Sequence, residues 1–318
     1  MDLTALVAEY GAEYKNDPKA RERLRSKLYN NNSAWDNFFT RIPTDATQED
    51  WGFTEHDEVL QPYQEDWTPK GTLTAMPNPI KLFWAKADIE KVPDQLTKTW
   101  MGFLRESGYT NPLDYSFVRW YLENHLIPRM HQDRYLAWGY LGSYTAPTAG
   151  TAGAASTTGD GLRKIIRGHV TAGNITPWVG GTFPTTAAGM VDYIERMVKA
   201  LPEQYRMMPM DIAMRQTNLD LYDEGFRVKY NTYFMAEKEL TVRNYPNIKL
   251  VGFGNMGTSN LVFASQKSNR LLLQKGSVKK ELVRLETALR KVYAFTDFHE
   301  GFGFDNPTEV FTNDQDLS

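Results

Sequence analysis

The six residues from Gly252 to Gly257, GFGNMG, have the spacing in this chain best suited to chemistry. They match the GxGxxG pattern in which glycine backbone approaches a dinucleotide pyrophosphate, and they close a strand-like segment, Ile248–Phe253. The pattern binds only where a helix starts at once and aims its N-terminus at the phosphates. Here residues 258–263, TSNLVF, read as a turn and a second strand. A ribose-binding acid belongs about 20 residues further on, and residues 271–276 carry none. The stretch therefore reads as a glycine-rich β-hairpin.

Metal and nucleophile chemistry is equally thin. The chain has no cysteine, which removes disulfides, thiolate ligands and cysteine nucleophiles. Its five histidines are His56, His125, His131, His169 and His299, and no two stand at i, i+4. His299-Glu300 opens like HExxH, but Gly303 occupies the place of the second histidine. No serine lies in GxSxG and no lysine in a phosphate loop. Asp133, Asp211, Asp220, Asp223 and Glu224 offer carboxylates for a glycosidase-like pair, so a carbohydrate-active enzyme is the alternative reading. Lys279, Lys280, Arg284, Arg290 and Lys291 make a modestly basic face that reads as solvated helix surface. These residues predict no catalytic centre, no cofactor and no metal.

The elements that would have to position any site are richer in information. At 318 residues the chain can bury a large core, in two domains or in one with long excursions. Hydrophobic residues at 41% and charged residues at 24% are ordinary for a soluble protein, and a net charge of −3 argues against a phosphate-binding chain. No stretch approaches the ~20 apolar residues of a membrane span, and the first residues, MDLTALVAEYGAEYKND, lack the pattern of a secretory signal. Aromatic residues reach 13%, a supply that serves cores and interfaces alike.

Residues 3–29 predict a helix in two pieces, restarted at Asp17-Pro18. Residues 39–76 mix single aromatics with Thr, Pro, Asp, Glu and Gln, and predict a protruding extended hairpin. Pro93 opens a short helix that Ser107-Gly108 ends. Asp114–Leu141 is the longest helical pattern, with Pro128 expected to kink or break it. It runs into Ser143–Gly161, where 16 of 19 residues are Gly, Ala, Ser or Thr. Such a stretch buries too little apolar surface to offset its ordering entropy, and predicts a surface excursion that a neighbouring subunit would order. Asp160 can cap a helix over 161–168. Helices are further predicted over 185–205 and 216–230, and strands over 207–214, 248–253, 261–265, 271–274, 292–304 and 308–312. For 278–292 the helical spacing of Val278, Leu282, Leu285, Leu289 and Val292 is preferred to a strand. The order suits an α+β fold.

Four stretches then stand in a telling order. They are QPYQEDWTPKG (Gln61–Gly71) with Ile80–Leu104 ending in VPDQLTKTWMGFL; the long helix with GTAGAASTTGDGLRKII; Val191–Tyr230 with LPEQYRMMPMDIAM; and IKLVGFGNMGTSNLVFAS with the later VYAFTDFHEGFGF and PTEVFTND. Together, from about residue 60 onward, they resemble the major capsid proteins of tailed bacteriophages, especially those of Bacteroidetes phages and prophages.

The resemblance implies the Hong-Kong-phage type of capsid fold. Its parts would be an N-terminal arm (1–45), an extended loop (46–80), a peripheral domain (81–180) with spine helix 114–141, an axial domain (181–275), and a return to the peripheral domain (276–318). It implies a non-enzymatic subunit of an icosahedral shell, built from hexamers and pentamers of itself around double-stranded DNA. Scaffolding, portal and decoration proteins would be the further partners, the virion capsid its location, and the host bacterial cytoplasm its place of assembly. The extended loop would lie over a neighbour's spine helix, with Trp51, Phe53, Trp67, Pro69 and Lys70 as inter-subunit contacts. The short stretch before that loop implies a separate scaffolding protein or none. A tail or connector protein is the other virion reading.

Overall fold

The computed structural model describes residue 8 and residues 17–29, 34–108, 116–230, 240–275, 283–288 and 291–317. The first piece of the N-terminal helix, the start of the spine helix at Asp114, and the basic residues Lys279, Lys280 and Arg290 lie outside the described residues. Among the described residues the first full elements are helix α1 (Pro18–Tyr29) and a single turn, α2 (Ala34–Asn37). Six strands follow: β1 (Thr40–Thr44), β2 (Gln48–Asp50), β3 (Phe53–His56), β4 (Leu73–Met76), β5 (Pro79–Lys81) and β6 (Phe83–Lys91). Helix α3 (Pro93–Glu106) stops at Gly108, whose φ of +77° suits a glycine.

The long helix, α4, runs over 117–139 without a break. Its hydrogen-bond register changes instead. Leu122–Leu126 is a π-turn, with the Ile127 amide donating to the Leu122 carbonyl. Pro128 follows in the first turn of the α-helical piece Ile127–Asp133. A proline has no amide to donate and crowds the preceding turn; the wider π-turn absorbs both faults. A second π-turn, Arg134–Gly139, ends the helix.

The small-residue stretch then closes on itself. The Ser143 and Thr145 amides donate to the Ser156 and Thr157 carbonyls at 2.9 and 3.2 Å, and the Gly161 amide to the Gly142 carbonyl at 2.9 Å. Three glycines pack on Trp138: a Cβ at Gly142 or Gly159 would come within 2.8 Å of the indole, and one at Gly161 within 2.5 Å of the Trp138 carbonyl oxygen. Small residues are therefore what lets the loop wrap Trp138, and backbone hydrogen bonds within the chain supply the order that was expected from a neighbour. Asp160 does not cap the next helix, α5 (Leu162–Thr171). Its carboxylate takes the Tyr144 amide and Lys164 Nζ.

Helix α6 (Ala187–Ala200) buries the stripe Met190, Tyr193, Ile194, Met197 and Val198, and a short turn, α7 (Glu203–Arg206), follows Pro202. Strand β7 (Met210–Arg215) starts one residue past Pro209 and leads into α8 (Gln216–Tyr230). The closing strands are β8 (Thr241–Val242), β9 (Tyr245–Phe253), β10 (Phe263–Ser265), β11 (Arg270–Lys275), β12 (Val283–Ala288), β13 (Lys291–Phe304) and β14 (Phe311–Thr312).

β12 corrects the helix expected over 278–292. Val283 is buried and Leu285 packs against the same core, a period-two spacing that shares only Leu285 with the expected helical stripe, of which Val278, Leu282 and Leu289 lie outside the described residues. What decides is the partner: six residues of β12 pair antiparallel with the start of β13.

Among the described residues two five-stranded sheets carry the fold. In the first, β13 is central: β6 pairs with it over 292–300, while β12 and β11 share its other side and β1 adds parallel to β11. The second has the order β14-β10-β7-β9-β8, with β7 and β9 parallel. GFGNMG is thus no hairpin turn, because β9 and β10 flank β7 instead of pairing. It carries the chain across β7, and it docks on the spine helix: the Gly254 amide donates to Tyr135 Oη at 2.9 Å and Asn255 Nδ2 to the Tyr135 carbonyl at 3.0 Å.

Helices α6 and α8 cover the second sheet, and Gly225 is where they touch. A Cβ there would stand 2.1 Å from the Ala187 carbonyl oxygen. Alanine gains about 1 kcal/mol over glycine in a helix, but overpacking costs about 1–3 kcal/mol, and more when backbone obstructs. Gly225→Ala is therefore expected to lower the thermal midpoint; an equal or higher midpoint would refute this helix contact.

Candidate assembly surface

The residues that could have done chemistry are occupied elsewhere. His125 meets the Trp120 ring at 4.4 Å, His299 the Trp84 ring at 4.4 Å, and His169 stands 3.3 Å from Asn174 Nδ2. His131 Nε2 lies 2.7 Å from the Lys27 carbonyl, and burial holds its pKa below the ordinary value. The backbone of His56 lies in β3. Asp133 pairs with Arg129, Asp211 with Arg270, Asp223 with Arg227, and Asp220 accepts from Gln216 Nε2. Glu224 is exposed on α8. Among the described residues no group of three or more His, Asp or Glu is placed to hold a metal ion.

The outstanding surface is the tongue between β3 and β4. The two strands pair from Phe53↔Met76 to His56↔Leu73, and the Asp57 amide extends the ladder to the Thr72 carbonyl at 3.1 Å. Beyond it, residues 57–72 form a tip without regular structure. The tip is stitched by its own side chains. Gln61 Nε2 donates to the Thr68 carbonyl at 2.7 Å, and Lys70 Nζ donates to the Leu60 carbonyl at 2.9 Å and pairs with Glu58 at 3.1 Å. Gly71, at φ +93°, lets the returning strand pass Val59.

This stitching holds apolar side chains out in water. Tyr63 and Trp67 are each 91% exposed and Leu60 is 83% exposed. Single exposed apolar residues are normal, but a cluster on one protrusion marks a surface that another molecule covers. A two-stranded ladder also needs a further packing face to be stable in water.

The five residues expected to make inter-subunit contacts divide. Trp67 and Pro69 are exposed on the tip, and Lys70 bonds to the tip's own backbone. Phe53 is buried at the root, and half-buried Trp51 packs against the cluster of Ile80, Leu82, Leu271 and Leu273, so both serve the chain's own fold. Leu60 and Tyr63 were not singled out from sequence. The signal was there: each is a lone large apolar residue in a run of Pro, Gln, Glu and Asp that has no strand or helix period to bury it.

A second apolar outcrop lies at the far end of the second sheet. Met207 is 83% exposed on the turn before β7, which Asn247 Nδ2 holds through the Arg206 and Met208 carbonyls at 2.8 and 2.6 Å.

No family model and no curated protein matches the sequence. Solved structures do match. A chain of the satellite phage P4 procapsid, solved with its size determination (Sid) protein, is 11% identical; the match covers 96% of this chain and 94% of that one, with a TM-score of 0.61. The capsid of Myoviridae phage XM1 is 13% identical over 88% and 90% of the two chains, with a TM-score of 0.54. The capsid of a native GTA particle is 10% identical over 87% of each, with a TM-score of 0.50. The fold is therefore α+β of the Hong-Kong-phage capsid type, over nearly the whole chain.

Proposed function

We propose that this protein is the structural subunit of an icosahedral phage shell, assembling as hexamers and pentamers of itself around double-stranded DNA. One observation carries the reading: on a fold shared with capsid chains, the tongue holds Leu60, Tyr63 and Trp67 in solvent. An exposed cluster of this kind gives each subunit something to bury on its neighbour, and many weak copies of one contact sum around a closed shell. In the domain terms of this fold, residues 46–80 act as the extended loop, α4 as the spine helix, and residues 181–275 as the axial domain. The function is geometric and requires no catalysis, no cofactor and no metal. The site of action is the virion capsid, with assembly in the cytoplasm of a bacterial host; the four-part sequence resemblance favours a Bacteroidetes host. Portal and decoration proteins are the further partners in this reading, with a separate scaffolding protein or none during assembly.

The test is electron microscopy of the protein purified after overexpression. Closed shells, capsomers or flat lattices are expected. A monodisperse monomer at every salt, pH and protein concentration tried would refute the proposal, and rings or tubes would point to a connector or tail protein.

A further inference from the structure

The strand-to-helix junction that GFGNMG lacks stands one strand away, where β7 passes straight into α8. β7 and β9 run parallel, and their carboxyl ends lie side by side with Arg215 against Phe253. Ligands of parallel sheets gather outside such ends, and the first amides of the following helix have no partners within it.

This junction is rich in donors and short of acceptors. Arg215 stands directly before the helix, in the capping position, and an arginine side chain only donates. Its Nε is buried without an acceptor, and its Nη2 donates to Asn218 Oδ1 at 3.4 Å. That bond draws the Asn218 amide back over the first turn and fixes which end is oxygen, since a flipped amide would set donor against donor. Asn218 Nδ2 is then a second buried donor without an acceptor, in a residue 2% exposed. No carboxylate pairs with Arg215 among the described residues. Asp220, one turn along α8, accepts from Gln216 Nε2. Gly252, the first glycine of GFGNMG, makes room for the turn: a Cβ there would collide with Gln216 Oε1 and stand 2.8 Å from Leu219 Cδ2. Gln216 and Thr217 are exposed, so the turn opens to solvent.

A buried donor without an acceptor forfeits the hydrogen bond it had in water. Two such donors meet here with a guanidinium charge and the partial positive charge of a helix N-terminus. A phosphate group brings several acceptor oxygens and the opposite charge, and satisfies all of them together. We infer that the β7–α8 junction is a phosphate seat, with Arg215 and Asn218 Nδ2 holding the oxygens from one side and the first-turn amides of α8 from the other. The ligand is free phosphate or the phosphodiester backbone of a nucleic acid, which share this chemistry. The seat does not depend on the shell reading, because every group in it belongs to one chain.

The test uses the full chain in whatever assembly it forms. Equilibrium dialysis with radiolabelled inorganic phosphate is run at physiological ionic strength set with potassium chloride. Saturable binding is expected, and Arg215→Gln should weaken it about tenfold or more, as the loss of a charge-assisted hydrogen bond does. Thr217→Glu changes an exposed residue and brings a carboxylate of its own to the same turn; it should displace phosphate without lowering the thermal midpoint. A high-resolution electron microscopy map in phosphate should show the ligand between Arg215 and Asn218. Displacement by dimethyl phosphate would assign the seat to a nucleic-acid backbone, and phosphate that this diester does not displace would assign it to free phosphate. Undiminished binding in either variant overturns the seat. So does a wild type with no saturable binding, or with only an ordered water at that place in the map, results that need neither variant to fold.

Discussion

Trp138→Ala is expected to cost the subunit about 3–5 kcal/mol, the range for removing a large buried aromatic side chain. The indole is 2% exposed and packs near Phe298 and Phe302, with ring centroids at 6.2 and 6.1 Å. Gly142 and Gly159 crowd it from the loop side, so alanine leaves the loop closed around a void. Collapse into that void is hindered, because the Gly142 amide is bonded to the Trp138 carbonyl and the Gly161 amide to Gly142. The indole N–H meets no acceptor among the described residues, so no hydrogen bond is lost with it. Trp138→Phe should therefore cost distinctly less than Trp138→Ala. Denaturant midpoints of the two variants check this, and equal losses would show that packing volume is not what the loop needs.

The second large effect is on assembly and leaves the subunit folded. The triple variant Leu60→Ser, Tyr63→Ser, Trp67→Ser keeps the backbone of the tongue and removes its exposed apolar side chains. Surface substitutions of this kind usually move stability by under about 0.5 kcal/mol each, so the thermal midpoint should be nearly unchanged. Shell formation should be abolished, because truncating clustered aromatic anchors costs each interface about 2 kcal/mol or more per residue, repeated around the lattice. Deleting Thr54–Thr68 should abolish shells as well, but it also removes most of β3 and leaves β4 without its partner. Light scattering and negative-stain images of the triple variant are the cleaner readout. Shells of normal size and yield from it would sink the role given to the tongue.

Much of the fold was legible because single elements announce themselves. The α6 stripe of Met190, Tyr193, Ile194, Met197 and Val198 can be buried only by a helix, and Pro209 marks where β7 starts. Where two periods fitted one stretch, as around Leu285, local pattern could not choose, and the pairing with β13 did. The context of GFGNMG in the sequence argued against a dinucleotide loop, but its contact with Tyr135 spans 119 residues of separation. The buried ion cluster around Arg134 was illegible for the same reason: Arg134 finds partners 98 and 166 residues away. Nothing near Asp36 or Glu300 in the sequence announces that they will be buried, because the cause lies in which segments stack.

Strand β13 also sets a timetable. Its partners β6, β11 and β12 are made earlier, and β6 waits about 200 residues for it. At 5–20 residues per second that is roughly 10–40 s of translation. Until residue 304 leaves the ribosome, the first sheet has no centre, and contacts this distant are also the slowest to close in folding. A growing chain therefore carries β6 and β11 without their shared partner until β13 has been made, whereas the tongue of β3 and β4 is closed by residue 76.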